Sequence, residues 1–230
     1  MRILHADNHL LVVQKPAGLP CVPDESGDES LLEQAKGWVK REYQKPGAVF
    51  LGVVHRLDRP VSGVVLFART SKAAARLTKA FQEQRVSKTY LALGLRPPRS
   101  TEGELEQWLL KDRERNRVRV VTGERPAGAK LARTRFCAEV YRSLLGGAPA
   151  ERVRFELRPR SGRSHQLRVA CASLGSPLLG DLRYGASKPL ADRSIALHAW
   201  RLGLEHPTTR EAMTFEADLP ERDWWREAYP

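Results

Sequence analysis

The sequence predicts an α+β fold built on a mixed sheet. Stretches with strand-like patterning outnumber those with helical spacing, and the helical ones fall among them with no βαβ alternation and no internal repeat. At 230 residues, against about 150 per domain, the chain is one large domain or two small ones. Its 41% of hydrophobic residues, spread along the whole length, suffice for a packed core. No low-complexity linker divides the chain, so a single domain over residues 1–230 is expected.

The opening ILHADNHLLVVQKPAG reads as two short strands about a turn at Asp7 and Asn8, ended by the breakers Pro16 and Gly18. After a polar loop, Ser30 with Glu33 three residues on is a capping-box pattern. Leu31, Ala35, Trp38 and Val39 then share one helical face, and Pro46 and Gly47 end the helix. GVVH and SGVVLFA, on either side of RLDRPV, read as buried strands joined by a polar turn. SKAAARLTKAFQEQ reads as a helix with Ser71 as N-cap and Ala74, Leu77 and Phe81 as its buried face. KTYLALGL is a further strand, and PPRST breaks the chain before a basic stretch. Strands follow near 133–141 and 152–157, and a short helix from Ser164 to Leu174 is closed by Gly175 and Pro177.

Charge narrows the partner. Thirty-nine Lys and Arg against 27 Asp and Glu leave +12, which makes a polyanion the first partner to consider. The surplus is concentrated: residues 111–135 carry nine basic and three acidic residues, and 151–168 carry six and two. Arg113, Arg115, Arg117 and Arg119 fall at every second position, which on a strand puts four guanidinium groups on one side. That pattern is either a phosphate-tracking ribbon or a solvated face that protects an edge. Val153, Phe155 and Leu157 alternate with Arg152, Arg154, Glu156 and Arg158, giving a second strand with a core face and a basic face. The last 26 residues are acidic, with seven acids against three arginines.

No apolar run approaches the roughly 18 residues of a membrane span, and the N-terminus lacks a signal-peptide core. A cytoplasmic protein without membrane partners is expected. Cys21, Cys137 and Cys171 form no CxxC pair and are expected to be buried or incidental thiols, and no metal-ligand spacing occurs.

Two segments hold candidate chemistry. In HRLDRPVSG, Asp58 lies between Arg56 and Arg59 with His55 nearby. A carboxylate with an arginine partner stays ionised, as a nucleophile or a stabiliser of a cation; the alternative is a surface Asp in weak ion pairs. In RPRSGRSHQLRVA, Arg163 precedes a helix start and Arg168 lies one and a half turns in. Together with free N–H groups they form an anion site, Arg168 turns inward to orient Asp58, or both arginines are simply exposed. His165 reads as a hydrogen-bonded structural histidine and Tyr90 as a strand aromatic whose hydroxyl finds a partner.

With these residues in view, GVVHRLDRPVSGVVLFART resembles the signature of the RluA family of pseudouridine synthases. HADNHLLVVQKPAGLP, KTYLALG, SGRSHQLRVACASLGSPLLGDLRYG and LHAWRLGLEHPTTREAMTFEADLP are similar to that family's other motifs, in the same order, over nearly the whole chain. The resemblance implies the pseudouridine synthase catalytic fold, a mixed, mostly antiparallel sheet flanked by helices. It implies isomerisation of uridine in ribosomal or transfer RNA, without a cofactor. It makes Asp58 the catalytic carboxylate, Arg168 its ion-pair partner and Tyr90 the residue facing the base, with Arg56 helping to expel or replace that base. Arg163 and His165, with Arg113, Arg115, Arg117 and Arg119, are the expected RNA contacts. Val61, Gln14 and Ala170–Cys171 depart from the family's usual residues. The chain starts at the first catalytic-domain strand, so the S4-type RNA-binding domain of many relatives is expected to be absent, and a monomer is expected. A nucleic-acid glycosylase and a catalytically silent RNA-binding protein are the alternatives.

Overall fold

The computed structural model describes residues 1–144 and 149–230. They gather in two compact units, Met1–Ser87 with Ala199–Asp218, and Lys88–His198 with Leu219–Pro230.

In the first unit, β1 (Arg2–Ala6) and β2 (Leu10–Lys15) form the expected antiparallel hairpin. Asp7 makes the turn, its Oδ1 accepting the N–H groups of His9 at 2.6 Å and Leu10 at 2.7 Å. Helix α1 (Leu31–Glu42) starts at the anticipated capping box: Ser30 Oγ accepts the Glu33 N–H at 3.3 Å and the Glu33 carboxylate accepts the Ser30 N–H at 2.8 Å. It buries Leu31, Ala35 and Val39, with Trp38 only half-buried.

The GVVH strand is shorter than its apolar residues suggest. β3 spans only Gly52–Val53, and Val53 is exposed. These two residues pair with Ala68 and Phe67 of β4 (Ser62–Ala68), and the next residue along β4, Leu66, gives its N–H to the His55 ring Nε2 at 2.9 Å. A side chain thus takes a hydrogen bond that a longer strand would have made, and the chain is released into the loop that carries Asp58. β4 is buried throughout and runs antiparallel to β2. Helix α2 (Ser71–Gln82) is capped by Thr70 rather than Ser71, because Thr70 keeps extended backbone and its Oγ1 accepts the Ala73 N–H at 3.1 Å. Its buried face is Ala73, Leu77 and Ala80, one position off the expected stripe, with Ala74 and Phe81 flanking it. The order β1-β2-β4-β10 is completed by β10 (Leu197–Glu205, from Ala199 onward) and β11 (Ala212–Glu216), antiparallel to β10. Leu10, Val12, Leu66, Leu77, Leu204 and Phe215 meet in the core.

The second unit is an antiparallel sheet in the order β5-β9-β8-β6-β7. Its strands are β5 (Ser87–Gly94, from Lys88 onward), β6 (Glu102–Asp112), β7 (Arg117–Val121), β8 (Lys130–Ser143) and β9 (Ala150–Pro159). β6 was not anticipated, since Glu102, Glu104 and Glu106 mask its alternation. Helix α3 (Gln166–Ser173) packs on one sheet face through Val169, against Leu109, Val118 and Ala132. A 3-10 turn, Leu182–Tyr184, follows. Helix α4 (Asp223–Ala228) sits over the other face, where Arg154 donates to the Ala228 carbonyl at 2.8 Å.

Both basic stretches need correction. The four alternating arginines do not share a strand: residues 113–116 form the turn between β6 and β7, so only Arg117 and Arg119 share a strand face. The turn is closed by Asp112 Oδ1 accepting the Arg115 N–H at 3.0 Å, with Asn116 in the left-handed region at φ 44°. On β9, Val153, Phe155 and Leu157 are fully buried as expected. The basic face opposite them is largely neutralised. Arg154 meets Glu139 at 2.6 Å, Arg158 Glu156 at 2.5 Å, Arg135 Glu104 at 3.0 Å and Arg133 Glu106 at 2.7 Å. Of the three free cysteines Cys21 and Cys171 are buried, but Cys137, expected among buried or incidental thiols, is exposed on this charged face.

Candidate active site

Asp58 lies in the first unit, half-exposed in the loop between β3 and β4. The loop is held from below by Lys15, at the end of β2 and fully buried. Its Nζ donates to the carbonyls of Pro16 at 3.0 Å, Leu19 at 2.7 Å and Arg59 at 3.0 Å, tying the segment after β2 to the residue beside Asp58. Burial pulls the Lys15 ammonium down to about 8, while the nearby Cys21 and Asp58 oppose that shift. The Cys21 sulfur accepts the Leu57 N–H at 3.3 Å, and burial pushes its thiol up. Gly18 and Arg59 bond each other twice, N–H to carbonyl at 2.8 Å and Arg59 Nε to the Gly18 carbonyl at 2.9 Å, and Arg59 also pairs with Asp28. The Asp58 carbonyl accepts the Val61 N–H at 3.0 Å.

Gly63, just beyond, has φ 125°, and a Cβ there would collide with the Ala199 backbone, so the SG pair is a packing requirement. His55 stacks on Phe81 with ring centroids 4.9 Å apart, and Arg56 projects outward, exposed. The departures sit in support positions: Val61 is buried, and Gln14 donates to the Asp218 carbonyl at 2.7 Å.

Tyr90 and Arg168 lie in the second unit. Register puts Tyr90 beside Leu157, and Leu157 beside Phe136, on the sheet face that α3 covers. Arg133, Arg135, Arg154 and Arg158 alternate onto the face away from Tyr90. Two residues before Tyr90, Lys88 donates to the Ser161 carbonyl at 3.1 Å, and burial brings its pKa to about 8.

Arg168 is buried on α3 and forms a two-pronged pair with Asp181, Nε to Oδ2 and Nη2 to Oδ1, both 2.7 Å. His165 starts α3 in the left-handed region, φ 50°, and its Nδ1 lies 2.8 Å from the Tyr184 hydroxyl, which accepts the Val118 N–H at 2.8 Å. Arg163, exposed, uses its Nε on the Leu131 carbonyl at 3.0 Å. Sequence reasoning therefore missed Lys15, Asp181 and Tyr184. The signals were QKP after a strand and the DLRY run after the arginine helix. Among the described residues no group of three or more His, Cys, Asp or Glu is arranged to hold a metal, and no helix is long and apolar enough to cross a membrane.

Together these features give an acidic side chain on a doubly clamped loop, and a buried arginine held at a fixed angle in a basic protein. That inventory suits chemistry at a sugar cation or an electron-poor base.

A family model of RNA pseudouridylate synthases matches residues 9–173. The chain is 35% identical over 220 residues to the dual-specificity RNA pseudouridine synthase RluA of Haemophilus influenzae, covering 94% of this chain and 91% of that protein. It is equally identical over 222 residues to the RluA of Escherichia coli strain K12, with the same coverage. Among solved structures, human RNA Pseudouridylate Synthase Domain Containing 1 superposes with a TM-score of 0.72 at 28% identity, covering 95% of this chain and 83% of that one. The clamped aspartate loop, the strand with Tyr90 and the arginine helix all fall within the matched residues, and the chain belongs to the RNA pseudouridylate synthase family.

Proposed function

We propose that the chain, working over its whole length as one catalytic domain, converts specific uridines of ribosomal or transfer RNA to pseudouridine with Asp58 as the catalytic carboxylate. The observation that carries this reading is the clamp on the Asp58 loop. A buried lysine, spending three hydrogen bonds on loop carbonyls, is costly to maintain unless the loop must stay in place. In the isomerisation the N1–C1′ bond breaks, the uracil turns, and C5 bonds to C1′. C5 loses its proton and N1 gains one, so there is no redox change and no cofactor. Asp58 traps or stabilises the sugar at C1′, or adds to the base. The resemblance gives Arg168 the task of balancing its charge, Tyr90 that of facing the base, and Arg56 that of filling the space the base leaves. Arg163 and His165 flank the start of the Arg168 helix, where RNA phosphate is to be met. The target must leave its stack, at a cost of a few kcal/mol.

The proposal includes a cytoplasmic monomer whose partner is RNA, in keeping with the +12 charge. Because C5 loses its hydrogen, RNA carrying tritium at uridine C5 reports turnover as tritium released to water. Asp58→Asn keeps the shape and removes the charge; release should stop while RNA binding persists. Substantial release by this variant would end the assignment, and free uracil from the unmutated chain would mean a glycosylase.

A further inference from the structure

Two groups of arginines in the second unit differ in their partners. Those on the sheet face (Arg133, Arg135, Arg154, Arg158) each have a glutamate partner, so a phosphate there competes with a carboxylate already in place. Those of the β6–β7 hairpin (Arg113, Arg115, Arg117, Arg119) are exposed and have no ion pair among the described residues. Among the described residues β7 is the edge of its sheet. A polyanion is drawn to the second group.

This hairpin is fastened at three points by one short segment. Arg183 donates to the carbonyls of Arg115, at 3.3 Å, and Asn116 in the turn. The Tyr184 hydroxyl accepts the Val118 N–H on the edge strand at 2.8 Å. The Tyr184 ring also lies under two guanidinium groups, with its centroid 5.1 Å from Arg168 and 5.8 Å from Arg117. At the other end of the segment Asp181 holds Arg168 by both prongs, and Tyr184 closes back on Asp181, its N–H bonding the Asp181 carbonyl at 3.1 Å. Within four residues, the segment that anchors the arginine hairpin also sets the angle of Arg168.

We propose that residues 181–184 couple an RNA-docking hairpin to Arg168, with Tyr184 as the positioning residue. RNA phosphates settle on the hairpin arginines and fix the β6–β7 turn. Arg183 and Tyr184 pass that fixed position to Asp181, and Arg168 is held where the reaction needs it. The inference rests on the synthase reading above.

A double-mutant cycle tests it, with tritium release at saturating RNA, RNA affinity across a salt series and thermal melting as readouts. The probes are unmodified tRNA and ribosomal RNA transcripts labelled at uridine C5. Replacing Arg113, Arg115, Arg117 and Arg119 together with Gln should weaken binding, flatten the salt dependence by roughly 0.7 per lost contact on single strands, and slow saturated turnover. Tyr184→Phe keeps the ring and loses the hydroxyl. It should leave affinity and salt slope unchanged and cut saturated turnover about tenfold or more. In the Tyr184→Phe background the hairpin replacement should affect affinity only, because the link to Arg168 is already broken. Arg183→Gln, a change at an exposed side chain, should reproduce the rate loss if Tyr184→Phe melts too early to assay. Additive rate losses, or an Arg183→Gln variant with full turnover, would overturn the coupling. An unchanged salt slope in the hairpin variant, or one flattened equally by replacing Arg133, Arg135 and Arg154, would overturn the docking surface. An unmutated chain that releases no tritium from either RNA marks failure of the synthase reading itself, which is distinct from both.

Discussion

A lysine with no exposed surface is among the most expensive residues a core can hold, and the cost of Lys15 is offset by three carbonyl partners and by the nearby Cys21 and Asp58. Lys15→Met fills the same volume but takes the ammonium donor from the Pro16 and Leu19 carbonyls, the Arg59 carbonyl keeping the Gly18 N–H, so stability should fall by about 2–4 kcal/mol. Turnover should fall with it, since the Asp58 loop loses its tie to β2. The pH dependence follows from the lowered pKa. The unfolded chain holds the Lys15 proton up to about 10.5, whereas the folded chain releases it near 8. The unfolded state therefore binds more protons between those values, and this group makes stability rise with pH across that window and fall as pH drops through 8. Melting curves from pH 7 to 10 should show that contribution in the unmutated chain and lack it in Lys15→Met. An identical pH slope in both would mean the ammonium is not buried as described.

At the scale of elements, the length of β3 is set by a side chain. His55 takes the Leu66 N–H, leaving two paired residues where the apolar run GVVH suggests four. His55→Leu preserves apolar contact with Phe81 but strands a buried N–H, at a cost of about 1–3 kcal/mol. Chemical denaturation should show that loss, and hydrogen exchange at Leu66 should quicken; unchanged protection there would mean that another acceptor takes over. The same element shows why parts of the fold were legible and parts were not. Local signals came through: Asp7 at its turn, the Ser30–Glu33 box, and the alternation of Val153, Phe155 and Leu157 each act within a few residues. What distant groups decide did not come through. Thr70 outcompetes Ser71 as a cap because β4 delivers it in extended backbone. The alternation of the arginines at 113–119 fits one strand, and nothing in their spacing reveals that β6 must turn back at Asp112. β6 itself was invisible, since its glutamates make sense only against Arg133 and Arg135 across the ladder.

For the whole molecule, charge read from composition points to a polyanion but overstates the unpaired basic surface. The six basic residues of 151–168 gave an apparent patch. Arg154 and Arg158 are instead spent on Glu139 and Glu156, on the face away from Tyr90. Exposed pairs of this kind add little stability, under about 1 kcal/mol each. They keep that sheet face charged and solvated. The candidate site was legible as residue types, Asp58 and Arg168 above all, but not as supports, because Lys15 and Asp181 matter through burial and geometry that spacing does not encode.

The placement of the three cysteines turns the protein into its own reporter of local opening. Cys137 stands in solvent, while Cys21 in the first unit and Cys171 in the second are buried, and burial pushes both thiols up. A thiol-directed reagent at neutral pH should add one mass increment at once, at Cys137. The next two additions should come slowly, each at a rate set by the opening equilibrium around one buried sulfur. Peptide mass mapping over time then assigns a separate opening free energy to each unit without any substitution. Two slow phases with different rates would mean that the neighbourhoods of Cys21 and Cys171 open independently; a single shared rate would mean that the chain opens as a whole.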